Sequence, residues 1–372
     1  MEIKSKFFAA LAVLVGTMIG AGYLGIPYVV SKSGFIAGIL FLFFVGLFML
    51  FIQLYLGEIS LRTKGNHQLT GYAERYLGKT GKLLMFLSMI FGIYYALSAY
   101  LIGEGNSLSY LFFGNEKYLL VFGLLFWLLM AGFTYVGLSA LKKFEKIGLA
   151  LVLITFIVIV SVFSKTAVVK NLSYVNVNSL FLPFGVILFS YLTFSAMPEV
   201  ERVIRGQEKY LKRVILLGYL IPFIIYLVFT YVVVGNFGVN VPEIATLALG
   251  RFFSILGILT MFTAYFTSTL AIRDMFRFDF NFGRLKGWLL AIFIPLIIFL
   301  AVYFLKIVTF VQILSISAII SGGLAGILIL LMNKEAKFLG NRKPEYNIKI
   351  NWWIICLMSL VFIAAVVAEF AL

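Results

Sequence analysis

The sequence predicts an all-α integral membrane protein of about eleven transmembrane helices. Three observations carry that prediction. Of the 372 residues, 63% are apolar and 12% charged, with a mean hydropathy of +1.08; a soluble core does not need so much apolar surface. The apolar runs are continuous and do not alternate with period two, which points to helices and not to a barrel. The basic residues fall between the runs and favour every second connection. Of the 30 lysines and arginines, 24 lie in one set of alternate segments and six in the other. That alternation sets a cytoplasmic N-terminus and an outer C-terminal Leu372. It also sets aside nucleic acid as the partner implied by the net charge of +15.

The predicted spans run over 7–30, 35–60, 83–112, 118–138, 145–164, 179–198, 211–235, 246–272, 287–305, 307–332 and 350–371. Short connections leave a single membrane domain over 1–372. The first run passes into Pro27 and Tyr28 with no small-residue cleavage site, so it reads as a retained helix. Between the second and third spans, Tyr72–Gly78 suits a short amphipathic helix on the membrane surface. The one histidine, His67, is there too, with no second His or Cys beside it to make a metal pair. Cys356, the one cysteine, has no partner for a disulfide within the chain.

Two spans carry a break. The first reads Gly16-Thr-Met-Ile-Gly-Ala-Gly22, three glycines in seven residues, each lowering helix propensity by roughly 1 kcal/mol relative to alanine. An opened turn at membrane depth must line a cavity or meet a polar partner. It presents amide N–H groups on one side and carbonyls on the other, a pair that suits a zwitterion and a cation. The same glycines also satisfy a small-xxx-small packing face. The second break is Phe189-Ser-Tyr-Leu-Thr-Phe-Ser195, followed by Pro198. Its hydroxyls can satisfy an opened helix, or bond back to carbonyls one turn earlier. It stands five spans after the first break and starts from the opposite side of the membrane. This is the order of a five-plus-five inverted repeat, about 7–164 and 179–332, with an extra helix at 350–371.

The stretch Gly16–Pro27 resembles the first-helix signature of the amino acid/auxin permeases, within the amino acid–polyamine–organocation superfamily, and is most similar to their bacterial aromatic amino acid branch. The similarity continues through Arg75-Tyr-Leu-Gly-Lys-Thr-Gly81, Tyr95-Ala-Leu-Ser-Ala-Tyr100 and Gly103-Glu-Gly105, and returns at Phe189–Pro198. The resemblance implies a sodium-symporter-like fold with discontinuous helices 1 and 6, carrying an amino acid in symport with a cation. It implies that the Ala21 and Gly22 N–H groups hold the substrate carboxylate. The carbonyls of Met18, Phe189 and Leu192 would hold its ammonium. Tyr95 or Tyr100 would pack beside the substrate, and Thr193 and Ser195 would face its side chain. None of these groups carries a fixed charge, so a neutral amino acid, aliphatic or aromatic, is expected.

The eighth span places Ala264, Thr267 and Ser268 at i, i+3 and i+4, on one helical face. With the carbonyls of Gly16 and Ile19 they supply five neutral oxygens, a set suited to a monovalent ion. This pattern resembles the sodium site of sodium-coupled transporters with the same fold and departs from the proton-coupled aromatic branch. It also fits a polar packing face between helices. The rival is a proton carried by Glu104, a carboxylate well inside the third span, where an ionisable group costs roughly 2.5–3.5 kcal/mol. A structural carboxyl or an outer gate are its other readings. Glu58, Glu199 and Asp274 lie at cytoplasmic ends among basic residues and suit local ion pairs or an inner gate. Beyond the coupling ion, no cofactor is expected. The partners expected are an amino acid and the lipid bilayer of the cell membrane. No paired intramembrane carboxylates, Gly-x-Ser-x-Gly or phosphate loop suggests an enzyme, and no filter motif suggests a channel.

Overall fold

The computed structural model describes residues 2–65, 67–136 and 142–371, without the side chains of 2–5, 142–151, 278–279 and 368–371. The expectations placed on Leu372 and on the side chains of Lys4, Lys142, Lys143, Glu145 and Lys146 lie outside what is described. Among the described residues fifteen α-helices follow one another: α1 Glu2–Met18, α2 Gly22–Ser33, α3 Phe35–Arg62, α4 Leu69–Phe113, α5 Leu119–Val136, α6 Lys142–Phe163, α7 Val169–Leu172, α8 Pro183–Ser190, α9 Met197–Ile204, α10 Leu211–Phe237, α11 Ser254–Asp279, α12 Arg284–Leu305, α13 Phe310–Ser317, α14 Gly323–Leu339 and α15 Trp352–Ala371. Among the described residues, eight helical stretches are long and apolar enough to cross a membrane, and a ninth if the bent pair α1–α2 is one span. Two shorter apolar helices, Val152–Phe163 and Trp352–Val367, add to these. The chain is a multi-pass membrane protein.

Large apolar side chains face outward along these helices, as Leu40, Phe44, Leu128, Ile297 and Leu360 do. Lipid removes the penalty that water would impose on them. The polar residues point the other way: Gln53, Glu58, Ser98, Glu104, Thr230 and Asn333 are all fully buried. α4 forms the axis and packs against α5, α11, α12, α13 and α14. Its first turns are the amphipathic segment expected after the second span, set off by Gly78, whose φ of +72° breaks the helix.

Three boundaries differ from the sequence expectation. α1 runs to Met18, so the first break is only Ile19–Ala21. The eighth span starts at Ser254 and not at 246, because 245–247 and 251–253 wind as 3₁₀ turns around Gly250, with its φ of +107°. The tenth span is not one regular helix. A π-turn at Ala318–Gly322 separates α13 from α14, and such turns offset the carbonyl ladder by one residue. The segment 340–351 is a strap along the end of α3. Glu58, fully buried, accepts from Arg62 at 2.8 Å, from Lys337 at 2.7 Å and from the Ile348 N–H at 2.9 Å. Tyr346 donates to the Leu54 carbonyl at 2.7 Å; burial, then the Glu58 carboxylate, push its hydroxyl well above the usual phenol range. Glu58 and Asp274 thus form the local pairs their basic neighbours suggested, Asp274 with Arg273 at 2.9 Å.

Candidate functional site

Both breaks are present and they face each other. α1 and α2 meet at 49° across Ile19–Ala21. There the Gly20 N–H turns to the Met18 carbonyl at 2.8 Å, which leaves the Gly16 carbonyl without its helical donor. No side chain caps α2. In its first turn only Leu24 reaches back, to Ala21 at 3.1 Å, so Ala21, Gly22 and Tyr23 offer free N–H groups, the ordinary condition of a helix start. On the other side α8 ends at Ser190 and α9 starts at Met197. Between them Leu192 donates to Phe189 at 3.1 Å and Ala196 to Thr193 at 3.0 Å. The Leu192 carbonyl has no donor among the described residues.

Gly22 brings the two breaks together. A Cβ there would lie 2.7 Å from the Ser190 Cα and 2.8 Å from its Cβ. Only a residue without a side chain permits that approach. Tyr226 of α10 ties the same junction, its hydroxyl 2.8 Å from the Met18 carbonyl and 3.0 Å from that of Ser190. Tyr219, seven residues earlier on the same face, donates to the Tyr191 carbonyl at 3.1 Å and meets Thr193 at 3.3 Å. Tyr23, Tyr191, Tyr219 and Tyr226 stack or meet edge-on at centroid distances of 5.6–6.3 Å. This aromatic plug fills the space behind the breaks.

In front of the breaks is a cavity of about 110 Å³. Met18, Gly22, Tyr100, Phe189, Leu192 and Ser195 line it, as do Ala264, Thr267 and Ser268. Tyr100 stands edge-on to Phe189 at 6.5 Å. A Cβ on Gly20 would lie 3.2 Å from that of Ala264, so α11 reaches the first break. The Thr267 hydroxyl donates to the carbonyls of Thr263 and Ala264 at 3.0 and 3.1 Å, which leaves its lone pairs free.

Other expected residues are placed elsewhere. Tyr95 stacks on Phe91 at 4.3 Å, away from the cavity. Five residues from Tyr100 is the wrong phase of a 3.6-residue helix. Thr193 turns to Tyr219 and does not face the cavity. Met18 lines the cavity with its carbonyl already accepting from Gly20 and Tyr226, which differs from the ammonium role expected of it. Ile19 and Ala21 belong to the break and Gly16 to the last turn of α1, and none of the three is in the cavity lining. Glu104 lies one turn beyond Tyr100, fully buried, with both carboxyl oxygens lacking a hydrogen-bond partner among the described residues.

The structure adds lining residues that the sequence reading missed: Ser88, Gly92 and Ala96 from α4, with Ser317, Ser321 and Gly322 at the π-turn. Those of α4 were marked in the sequence. Ser88, Gly92, Ala96 and Tyr100 step by four residues along one helix face. The π-turn had no comparable signal.

Helices with apolar outer faces surround a central cavity and two are broken at its edge, an architecture that a membrane permease can use. Residues 3–248, about two thirds of the chain, match the tryptophan/tyrosine permease family, and the chain belongs to it. The expected resemblance to an aromatic amino acid permease agrees with this family, whereas the wider placement among the amino acid/auxin permeases does not. Glutamine transporter 2 of Aliivibrio fischeri is 24% identical over 241 residues, 63% of this chain and 62% of that protein. The match therefore spans less than two thirds of that relative's length. Tyrosine-specific transport system 1 of Haemophilus influenzae is 26% identical over 331 residues, 80% of this chain and 81% of that protein. The low affinity tryptophan permease of Escherichia coli O157:H7 is 22% identical over 339 residues, 80% of each chain.

Proposed function

We propose that this protein imports a neutral amino acid across the cell membrane by symport with a monovalent cation, sodium. The observation that carries this reading is the pair of opposed breaks at the cavity edge. Free N–H groups at Ala21 and Gly22 suit a carboxylate, and the Leu192 carbonyl suits an ammonium, with the Phe189 carbonyl already accepting from the Leu192 N–H. The cavity lining has no charged side chain, so a substrate with a charged side chain would have no counter-ion. Tyrosine, tryptophan and glutamine, the substrates in the relatives' names, are all neutral there.

The reading includes eleven spans, a cytoplasmic N-terminus and a five-plus-five inverted repeat. The packing supports the repeat. α2 lies on α8 and α1 on α9; α10 packs on α1 and α2 as α3 packs on α8 and α9; α4 meets α5 and α12 as α11 meets α12 and α5. Exchanging the two sets of five spans maps these contacts onto one another. Uptake of labelled tyrosine, tryptophan, glutamine and leucine into proteoliposomes, with and without a sodium gradient at fixed pH, tests the proposal. No uptake of any amino acid would reject it.

Sodium would sit between the first break and α11, held by the carbonyls of Gly16, Ile19 and Ala264 and the hydroxyls of Thr267 and Ser268. The support is the free Gly16 carbonyl, the close approach of Gly20 to Ala264 and the outward lone pairs of Thr267. Replacing Thr267 and Ser268 with alanine is expected to raise the half-saturating sodium concentration about ten-fold, the equivalent of ~1.4 kcal/mol. An unchanged sodium dependence would remove the site from α11.

The unpartnered Glu104 favours one second reading, proton coupling. A buried carboxyl with no hydrogen-bond partner is a costly feature that a purely structural role does not require. Under that reading Glu104→Gln, close to isosteric, flattens the pH dependence of uptake and leaves transport independent of sodium. A full pH response in that variant excludes Glu104 as the carrier.

A further inference from the structure

The outer face of α10 begins with unmatched positive charge and continues as an apolar track. Lys212 and Arg213, in its first turn, are exposed. Leu216, Leu217, Leu220 and Ile224 follow them in steps of three and four residues, so they share one face, and all four are exposed. Lys209 joins the two cations through Tyr210: its Nζ lies 5.1 Å, and the Arg213 guanidinium carbon 6.0 Å, from the centre of that ring. Among the described residues none of the three cations makes an ion pair or a hydrogen bond. Other cations hold counter-ions, Arg62 and Lys337 on Glu58 and Arg342 on Glu345. Glu208, next to Lys209, is turned to the backbone N–H groups of Gly206 and its own residue. The first turn of α10 has no acid, so the two cations there also face the positive end of the helix dipole.

The track has the length of a lipid chain. From Arg213 to Ile224 the helix rises about 16 Å, half of the roughly 30 Å hydrocarbon core, which is the depth of one leaflet. Phe43 of α3, itself exposed, meets Phe223 edge-on at 6.2 Å and gives the track an aromatic edge. We propose that Lys209, Lys212 and Arg213 hold the headgroup of an anionic phospholipid whose acyl chain lies along Leu216, Leu217, Leu220 and Ile224. A soluble anion would answer the charge and leave the track unused. The site is separate from the central cavity, and the proposal is independent of what the cavity carries. It adjoins the first broken helix: Tyr210 meets Phe7 of α1 at 6.2 Å, and Lys6 donates to the Arg205 carbonyl at 3.1 Å.

Native mass spectrometry of the full chain, released from detergent that holds equal amounts of phosphatidylglycerol and phosphatidylcholine, tests the site. Phosphatidylglycerol adducts are expected in at least about five-fold excess. The triple variant Lys209→Gln/Lys212→Gln/Arg213→Gln should bring that excess below about two-fold. Lys64→Gln/Lys343→Gln/Lys349→Gln removes the same charge from exposed lysines elsewhere and should leave the excess as it is. A native excess under about five-fold overturns the proposal. So does an excess that persists in the first variant, or one that falls equally in both, since net charge alone would then account for it. Glycerophosphoglycerol, the same headgroup without chains, should not displace the adducts at equal concentration; displacement would make the cluster a soluble-anion site and overturn the lipid assignment. Should the triple variant not fold, Lys212→Gln and Arg213→Gln replace it, each expected to lower the excess about two-fold.

Discussion

Gly22→Val is expected to abolish amino acid uptake in proteoliposomes, a loss of more than about ten-fold, and Gly22→Ala to do nearly as much. The reason is backbone and not side-chain bulk in the cavity. The first carbon added at Gly22 falls 2.7 Å from the Ser190 Cα, which cannot rotate away as a side chain can. Either α2 or α8 must move, and these are the helices that end at the two breaks. Overpacking of this kind costs roughly 1–3 kcal/mol. The alanine variant separates two explanations. If Gly22 matters only for room beside the substrate, alanine is tolerated and valine is not. If it matters for the α2–α8 approach, both fail. Normal uptake by the alanine variant would place the constraint in the cavity and not in the helix contact. Size-exclusion profiles of both variants check that the protein remains folded.

Tyr226→Phe carries the second largest expectation, a fall in uptake of about ten-fold with a lowered melting temperature in detergent. The substitution removes one oxygen and little volume. That oxygen is the donor shared by the carbonyls of Met18 and Ser190, one from each broken helix. Without it the Met18 carbonyl keeps only the Gly20 N–H, and the bond from Tyr226 to Ser190 is lost with no replacement among the described side chains. An unsatisfied buried acceptor costs about 1–3 kcal/mol. Tyr219→Phe serves as the comparison. It frees the Tyr191 carbonyl in the same aromatic plug but leaves the junction of the two breaks tied. Uptake should therefore respond more to the loss at Tyr226 than to that at Tyr219. Equal effects would mean that the plug acts through packing alone.

Both variants probe features with unequal visibility in the sequence. Gly22 stands out at once, as one of three glycines inside a membrane-length run. Tyr226 does not, because a tyrosine on an apolar helix looks the same whether it faces lipid, another ring or a carbonyl. Its partners are 208 and 36 residues away. The proposed coupling-ion residues have the same mixed character. Ala264, Thr267 and Ser268 share a face by local periodicity, whereas the approach of Ala264 to Gly20 depends on how α11 crosses the first break. Tyr95 and Thr193 show the converse, both lying outside the cavity lining. Each is the right residue type near the right place, set aside by a phase difference of one or two residues on a helix or turn.

From the sequence alone came the membrane class, the order of the spans and the positions of both breaks. These follow from short-range properties: hydropathy over some twenty residues, glycine and proline within one turn, and lysine and arginine between runs. Tertiary structure alone decided which side chains enclose the cavity. It set the π-turn that brings Ser317 and Ser321 to Ser88, the tyrosine plug behind the breaks, and the burial of Glu104 without a hydrogen-bond partner among the described residues. The physical reason is that lipid rewards any apolar residue equally. Hydropathy therefore determines that a helix crosses the membrane but not how it is rotated, and rotation chooses the residues that face one another.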